Sequence, residues 1–342
     1  MKSLIRKMYR KKLAAALAAG VCFFAAFPAA NAAEKEDGRH IEIYYTGSME
    51  GRVLATDEAG RSIGMARIAA AIRQAKDADE DTLAFDAGNI FSGTPLIDAR
   101  DGAAMAPLLN LAGYDAAAIG SRDVSLGISS LVKLAARLNF PIVTANIIEK
   151  RSNDAVFLPY KVFNQNGVRI AVFGMIADGT QLAHDDGKEL EVQNALPLIK
   201  EMAMRLKENN DVVIALMDFG GGDATEKAEK ADISGTVEAA QPDPKAKLMA
   251  EVPQLDLVID GRGTAHGKAL GHATVVVKDH VIVSKRQELL AKEAVQKLAP
   301  QEDDAVLLAL EEIKKDAELA AKDSAAQERK SLRKKVKRGE RK

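Results

Sequence analysis

The chain has 342 residues, with 48 Lys/Arg against 49 Asp/Glu, one Cys and no Trp. That length accommodates one large domain or two smaller ones, and a single cysteine excludes both a disulfide framework and a Cys-based metal site. An aromatic content of 4% argues against a base-stacking or sugar-platform surface.

The first 33 residues read as a processing segment. Lys2, Arg6, Lys7, Arg10, Lys11 and Lys12 form a positive start, Leu13 to Phe27 is an apolar run, and Ala30-Asn31-Ala32 is a small-residue cleavage site. The run is short for a permanent span, which leaves an uncleaved N-terminal anchor as the competing reading. Cys22 follows Val21, a poor residue before a lipoprotein cysteine, so lipidation is rejected. Export to the periplasm, cell envelope or medium is expected, and the mature chain then has no cysteine. Charge is uneven: the leading segment carries +6, leaving −7 for the rest. Arg329 to Lys342 holds nine Lys/Arg against Glu340, so Glu34 to Glu328 stands near −15.

From His40 onward strands alternate with helical stretches, the pattern of a layered α/β fold. Ile41 to Thr46 is an apolar strand ending in Gly47-Ser48-Met49-Glu50-Gly51. Ile63 to Lys76 places Met65, Ile68 and Ile72 at helical spacing. Thr82 to Asp86 is a strand ending in Ala87-Gly88-Asn89, and Ala103 to Ala112 is helical. Asp115 to Ile119 is a strand ending in Gly120-Ser121-Arg122-Asp123, with a helix over Leu126 to Leu138. Ile142 to Thr144, Tyr160 to Phe163 and Val168 to Phe173 are strand-like, with Asn166-Gly167 as a two-residue hairpin turn.

A helix over Leu196 to Lys207 feeds the strand Val212 to Leu216, which ends in Met217-Asp218-Phe219-Gly220. Gly221 to Gln254 is polar, broken at Ser234-Gly235 and Pro242-Asp243-Pro244, and reads as surface helix and loop. Leu255 to Ile259 is the next buried strand, ending in Asp260-Gly261-Arg262-Gly263-Thr264. Ala273 to Val277 and Val281 to Ser284 pair around Lys278-Asp279-His280. From Gln287 the composition turns to Ala, Lys and Glu. Val306, Leu310, Ile313, Ala317 and Ala320 trace one stripe, predicting an amphipathic helix from Asp303 to about Ala326.

Five strands thus end in glycine-bearing loops, the place where open α/β sheets put their chemistry. Their order and surroundings resemble the calcineurin-like metallophosphatases, in the secreted 5'-nucleotidase branch. Ile63-Gly64-Met65-Ala66-Arg67, Phe91-Ser92-Gly93-Thr94-Pro95-Leu96, Asn110-Leu111-Ala112-Gly113-Tyr114-Asp115 and Phe140-Pro141-Ile142-Val143-Thr144-Ala145-Asn146 carry the likeness, as do Pro159-Tyr160 and Gly167 to Gly174. The resemblance covers about residues 40–285 and implies a four-layer α/β/β/α sandwich followed by a C-terminal helix. The expected organisation is a signal peptide over 1–33, a degenerate metallophosphatase domain over 34–286, a charged amphipathic helix over 287–328 and a basic tail over 329–342. The C-terminal substrate domain of that branch, which supplies an aromatic clamp, is expected to be absent.

The resemblance implies a dinuclear site that this sequence rewrites. The first ligand pair falls on Ser48 and Glu50, the bridging carboxylate on Asn89, the amide ligand on Ser121, and the catalytic His on Arg122. The carboxylate orienting that His falls on Ser125, the two later His ligands on Asp218 and Arg262, and the last ligand on Thr264. Neutral Asn89 cannot screen two cations as a bridging carboxylate does, and Arg122 stays charged and cannot serve as a general acid. A catalytically inactive protein without a cofactor is the first expectation, with Arg122 and Arg262 occupying the cations' places and pairing with Glu50 and Asp218. A variant of it has the two arginines bind an anion. The alternative is a divergent phosphoesterase with one Mg²⁺ or Ca²⁺ on Glu50, Asn89, Asp123 and Asp218.

Other candidates are weaker. His184, His266, His272 and His280 show no ligand spacing; His266 is either a shifted ligand or, by preference, an exposed loop residue. Gly220-Gly221-Gly222-Asp223 lacks the lysine of a P-loop and reads as a turn. The run Arg329 to Lys342 suits an anionic envelope polymer, a lipid headgroup or an acidic protein, with no specific nucleic acid, or else is a solubilising tail.

Overall fold

A computed structural model describes residues 37–55, 62–98, 102–183, 186–219 and 243–337, the last fifteen of these by backbone alone. The processing segment, His184, residues 220–242 with their glycine run, and the side chains of the basic tail lie outside the described residues.

The first strand sets the architecture. In β1 (Arg39–Thr46), Ile41, Ile43 and Tyr45 alternate with Tyr44, and both sets are buried. Such a strand must lie between two apolar layers. It is the centre of a five-stranded sheet, parallel to β2 (Leu83–Asp86), which leads to β3 (Ala116–Ala117). Two short strands and a hairpin follow: β4 (Ile147–Glu149), the hairpin of β5 (Tyr160–Gln165) and β6 (Val168–Met175), and β7 (Leu190–Val192). Strands β8 (Val212–Met217) and β9 (Leu257–Asp260) join β6 in parallel, giving a second sheet of order β5-β6-β8-β9, while β4 pairs with β7. Strands β10 (Ala269–Lys278) and β11 (Val281–Ala291) return to the other side of β1.

Three cores separate four layers. Ile41, Ile43 and Phe85 of the first sheet meet Ile170, Val172, Ile214 and Leu216 of the second in the central one. On the outer face of the first sheet lie α1 (Met65–Ala78) and α2 (Met105–Ala112), packed through Ile68, Ile72, Leu108 and Leu109. A short helix α3 (Ile128–Ala135) adds Leu131 and Leu134. On the outer face of the second sheet, α4 (Ala195–Lys207) and α5 (Pro244–Glu251) bring Ile199, Met202, Leu206 and Leu248 against Phe173 and Val213. This is the expected α/β/β/α order.

The C-terminal elements differ from expectation in extent. Strand β11 runs past Gln287, where the composition changes, because an edge strand tolerates exposed charged residues such as Lys285, Arg286 and Glu288. The turn at Asp279 and His280, both at positive φ (50° and 65°), joins the two long strands, whose register shifts once, between Val276 and Val277. Beyond it, α6 (Lys292–Leu298) and α7 (Asp304–Lys337) pack Val295, Ala299, Val306 and Leu310 into the same core as α1 and α2. Helix α6 and the first turns of α7 are therefore part of the outer layer, while residues 287–291 complete β11. Asp303 caps α7 by accepting from the Val306 amide (3.0 Å), and the helix continues eleven residues beyond the predicted Ala326. Ile142 and Val143 form only isolated bridges, to Ala117 and Leu158. No described helix is long and apolar enough to cross a membrane.

Candidate functional site

The loops after β1, β2, β3, β8 and β9 gather at one edge of the sandwich, because those strands are parallel within each sheet. Backbone contact holds them. The Ser48 amide donates to the Gly88 carbonyl (2.7 Å), the Glu50 amide to Asn89 (2.8 Å) and the His266 amide to Ser48 (2.8 Å). Ser48, Glu50, Asn89 and His266 adopt left-handed φ between 50° and 58°, a region costly for residues with a Cβ. Gly47 and Gly261 touch so closely that a Cβ on either would lie 2.6 Å from the other's backbone. The sequence thus keeps a strained loop frame.

The side chains on that frame are engaged with one another. Glu50 is largely buried; its Oε1 meets Arg122 Nε at 3.0 Å and its Oε2 meets His266 Nε2 at 3.0 Å. Asn89 Oδ1 accepts from the Arg122 amide (2.8 Å). Asp123 accepts from the amides of Asn89 (2.8 Å), Gly120 (2.9 Å) and Phe91 (2.9 Å) and is fully buried, so it fastens the second loop to the third. Burial pushes its carboxyl up to about 6, against the downward pull of those amides. Asp218 accepts from the Ser121 amide. Ser125 Oγ donates to the Arg122 carbonyl (2.8 Å), and Thr264 Oγ1 to the Gly47 carbonyl (3.1 Å).

Arg122 sits as expected beside Glu50, but Arg262 does not pair with Asp218. Its Nε donates to Asp260 Oδ1 (3.1 Å) and its Nη2 to Asp243 Oδ1 (3.0 Å), with the guanidinium 5.0 Å from the Phe219 ring centroid. The geometric reason is proximity in the chain: Asp260 ends β9 two residues earlier, and its oxygen already receives the Arg262 amide (3.0 Å). The expectation for His266 as an exposed loop residue also fails, since it is 7% exposed. His272 and His280 lie elsewhere, bonded to Glu42 and Asp211 respectively.

Beneath the loops sits a group that sequence reasoning missed. Asp86, fully buried at the end of β2, accepts from Thr46 Oγ1 (2.6 Å) and the Gly88 amide (2.8 Å), and Thr46 Oγ1 lies 2.7 Å from Tyr114 OH. Burial, with Asp123 nearby, pushes the Asp86 carboxyl up to about 7. The signal was present as an acid at the end of an otherwise apolar strand, where a loop-facing residue was expected.

This donor set does not fit a pair of cations. At the positions the resemblance implies, a guanidinium stands at one ligand place (Arg262) and another at the catalytic place (Arg122), with an amide (Asn89) at the bridging one. The carboxylates Glu50, Asp123 and Asp218 each accept from groups of the protein. Among the described residues no three His, Cys, Asp or Glu side chains are arranged to hold a metal ion.

Comparison with known proteins gives the fold a lineage. No family model matches the chain. Protein UshA of Yersinia enterocolitica is 29% identical over 254 residues, covering 72% of this chain and 44% of that protein. A 5'-nucleotidase of Vibrio parahaemolyticus is 31% identical over 142 residues, covering 40% of this chain and 25% of that one. The chain therefore spans less than half the length of these relatives. Among solved structures, the calcineurin-like phosphoesterase YfkN of Bacillus subtilis superposes with a TM-score of 0.64 at 18% identity, over 83% of this chain and 99% of that one. A 5'-nucleotidase precursor of Thermus thermophilus gives 0.66 at 17% identity, over 82% and 59%.

Proposed function

The chain belongs to the calcineurin-like phosphoesterase superfamily, on its 5'-nucleotidase branch, and from that premise we propose that it is a catalytically inactive member acting as a binding or scaffold protein of the cell envelope. One observation carries the reading: Glu50 is held from both sides by Arg122 and His266 at 3.0 Å. A carboxylate shared by a guanidinium and an imidazole has its charge satisfied by the protein. Arg122, at the position of the branch's catalytic His, cannot deliver a proton at neutral pH.

Export follows from the pattern of residues 1–33, and the basic run Arg329–Lys342 gives an anionic envelope surface as the partner class. Deleting residues 329–342 is expected to abolish binding to anionic vesicles or envelope fractions that moderate salt also releases. Binding that is insensitive to salt or to the deletion rejects this partner.

The test of inactivity is metal analysis of the protein expressed from the full chain, beside a phosphoester and nucleotide hydrolysis screen in Mg²⁺, Mn²⁺ and Ca²⁺. The reading requires substoichiometric metal and no turnover. Stoichiometric metal together with turnover lost in Asp218→Ala would overturn it and favour a single-cation phosphoesterase.

A further inference from the structure

A cavity of about 330 Å³ opens between the end of β9, the start of α5 and the edge strand β11, outside the loop cluster of Glu50, Arg122 and His266. Its wall holds charges of both signs, and their pairing is uneven. Asp260 and Asp243 are both bonded to Arg262, at 3.1 and 3.0 Å. Glu288 is bonded to His272 Nδ1 (3.2 Å), whose other nitrogen meets Glu42 at 2.7 Å. Each carboxylate of the wall thus has a nitrogen partner, Asp260 and Asp243 sharing Arg262.

Lys245 is the exception. Its ammonium is half-buried in the first turn of α5, and its side-chain partner is Gln287 Oε1, a neutral acceptor. Gln287 is fixed in that orientation, because its Nε2 donates to Tyr45 OH (2.8 Å) and reaches the Val258 carbonyl (3.4 Å). An ammonium withdrawn from water without a carboxylate in hydrogen-bond contact bears a desolvation cost that a neutral amide offsets only in part. Burial is the foremost influence on it and draws its pKa below the ordinary lysine value, with Asp260 and Asp243 opposing and Arg262 adding to the fall.

We propose that this cavity binds a small oxyanion, a single carboxylate or phosphate group, with Lys245 as its charged anchor and the Tyr45–Gln287 pair as the arm that positions the ammonium. The volume lies at the lower end of the range for small-molecule sites, with a few polar groups set against apolar Leu289 at the rim. Gly263 lines the cavity beside Leu289, where a Cβ would fall 2.8 Å from the Leu289 side chain. The inference does not rest on the inactivity argued above: its anchor Lys245 is outside the replaced ligand set, although Arg262 of that set lines the same cavity.

The experiment is calorimetric titration of the full chain with inorganic phosphate and, separately, with acetate, in chelating-resin-treated buffer. Saturable binding of either is expected, weakened about tenfold or more in Lys245→Met and kept within about threefold in Lys245→Arg. Preference for one titrant identifies the phosphate or the carboxylate as the group bound. A thermal melt supplies the second readout. Lys245→Met should melt no lower than wild type without the anion and gain nothing from it, whereas wild type gains. Absence of saturable binding by both anions up to about 10 mM, or equal binding in Lys245→Met, overturns the proposal. Either failure leaves the metal and hydrolysis result, and the function it tests, untouched.

Discussion

Glu50 and Arg122 face each other across two loops at 3.0 Å, at the positions where the resemblance to the 5'-nucleotidase branch implies a metal-ligating and a catalytic histidine. The second oxygen of Glu50 goes to His266, and the two contacts differ in environment. Arg122 is half exposed (51%) whereas His266 is buried (10% of its side chain). Solvent screens the first and spares the second. Arg122→Gln should therefore cost at most about 1 kcal/mol of stability, and His266→Ala about 1–2 kcal/mol. A urea-unfolding double-mutant cycle is expected to show larger coupling for Glu50 with His266 than with Arg122. The reverse order would show that charge, not burial, holds the loops.

Asp86 gives the fold a pH dependence of predictable sign. Its carboxyl rises from the ordinary value of 3.8 to about 7 on folding, chiefly through burial. A group that binds its proton more tightly in the folded state stabilises most at low pH, and that contribution falls as pH rises from about 4 to about 7. Asp123, raised to about 6, acts in the same direction. Asp86→Asn keeps an acceptor for the Gly88 amide and removes the ionisation. The variant should lose part of this slope and be at least as stable as wild type at pH 7.5. Melting curves across pH 4–8 check it, and an unchanged slope would remove Asp86 as the source.

The legible part of this protein was what local rules control. Asn166-Gly167 was readable as a hairpin turn because both residues adopt positive φ there (50° and 79°), and the apolar stripe from Val306 to Ala320 marked a helix. The layer order followed from the resemblance and from strands such as β1 that are buried on both faces. The unread part depends on contacts distant in sequence. His266 is fixed by Glu50, 216 residues away, and Tyr114 reaches Thr46 across 68 residues. Arg262 went unread for the opposite reason: its partner Asp260 was so near that a bond across the site was preferred. The length of β11 was hidden because an edge strand with charged residues has the composition of a surface helix.

The close approach of Gly47 and Gly261 sets a strict size limit where the first and last loops meet. A Cβ on Gly261 would lie 2.6 Å from the Gly47 carbonyl carbon, and backbone cannot swing aside as a side-chain tip can. Gly261→Ala should destabilise by about 2–4 kcal/mol through overpacking and displaced loops. Gly187→Ala, where nothing lies within 4 Å, should stay within about 0.5 kcal/mol of wild type. Chemical denaturation of the two variants side by side tests the contrast. Equal stability would show that the two loops can separate at little cost.

His272 ties three strands of the first sheet together, and its contribution should disappear in alkaline solution. It lies on β10, stacked on Tyr44 of β1 at 4.7 Å, with Nε2 2.7 Å from Glu42 of β1 and Nδ1 3.2 Å from Glu288 of β11. Thr274 also donates to Glu42 (2.8 Å), and Arg286 stands 3.7 Å from Glu288. Burial opposes protonation of His272, but the two glutamates outweigh it and hold its pKa above the ordinary 6.5, while the Glu42 carboxyl is lowered despite its own burial. With both nitrogens turned to carboxylates, the ring serves them fully only as the imidazolium, which donates from each. The pair is therefore fully stabilising between about pH 4.5 and 6.5; it weakens as pH rises through the raised His272 value and again as pH falls through the lowered Glu42 value. His272→Gln should lower stability by about 1–2 kcal/mol at pH 6 and by less at pH 9. Urea unfolding of both proteins at the two pH values measures the difference, and a gap that widens toward pH 9 would contradict the imidazolium bridge.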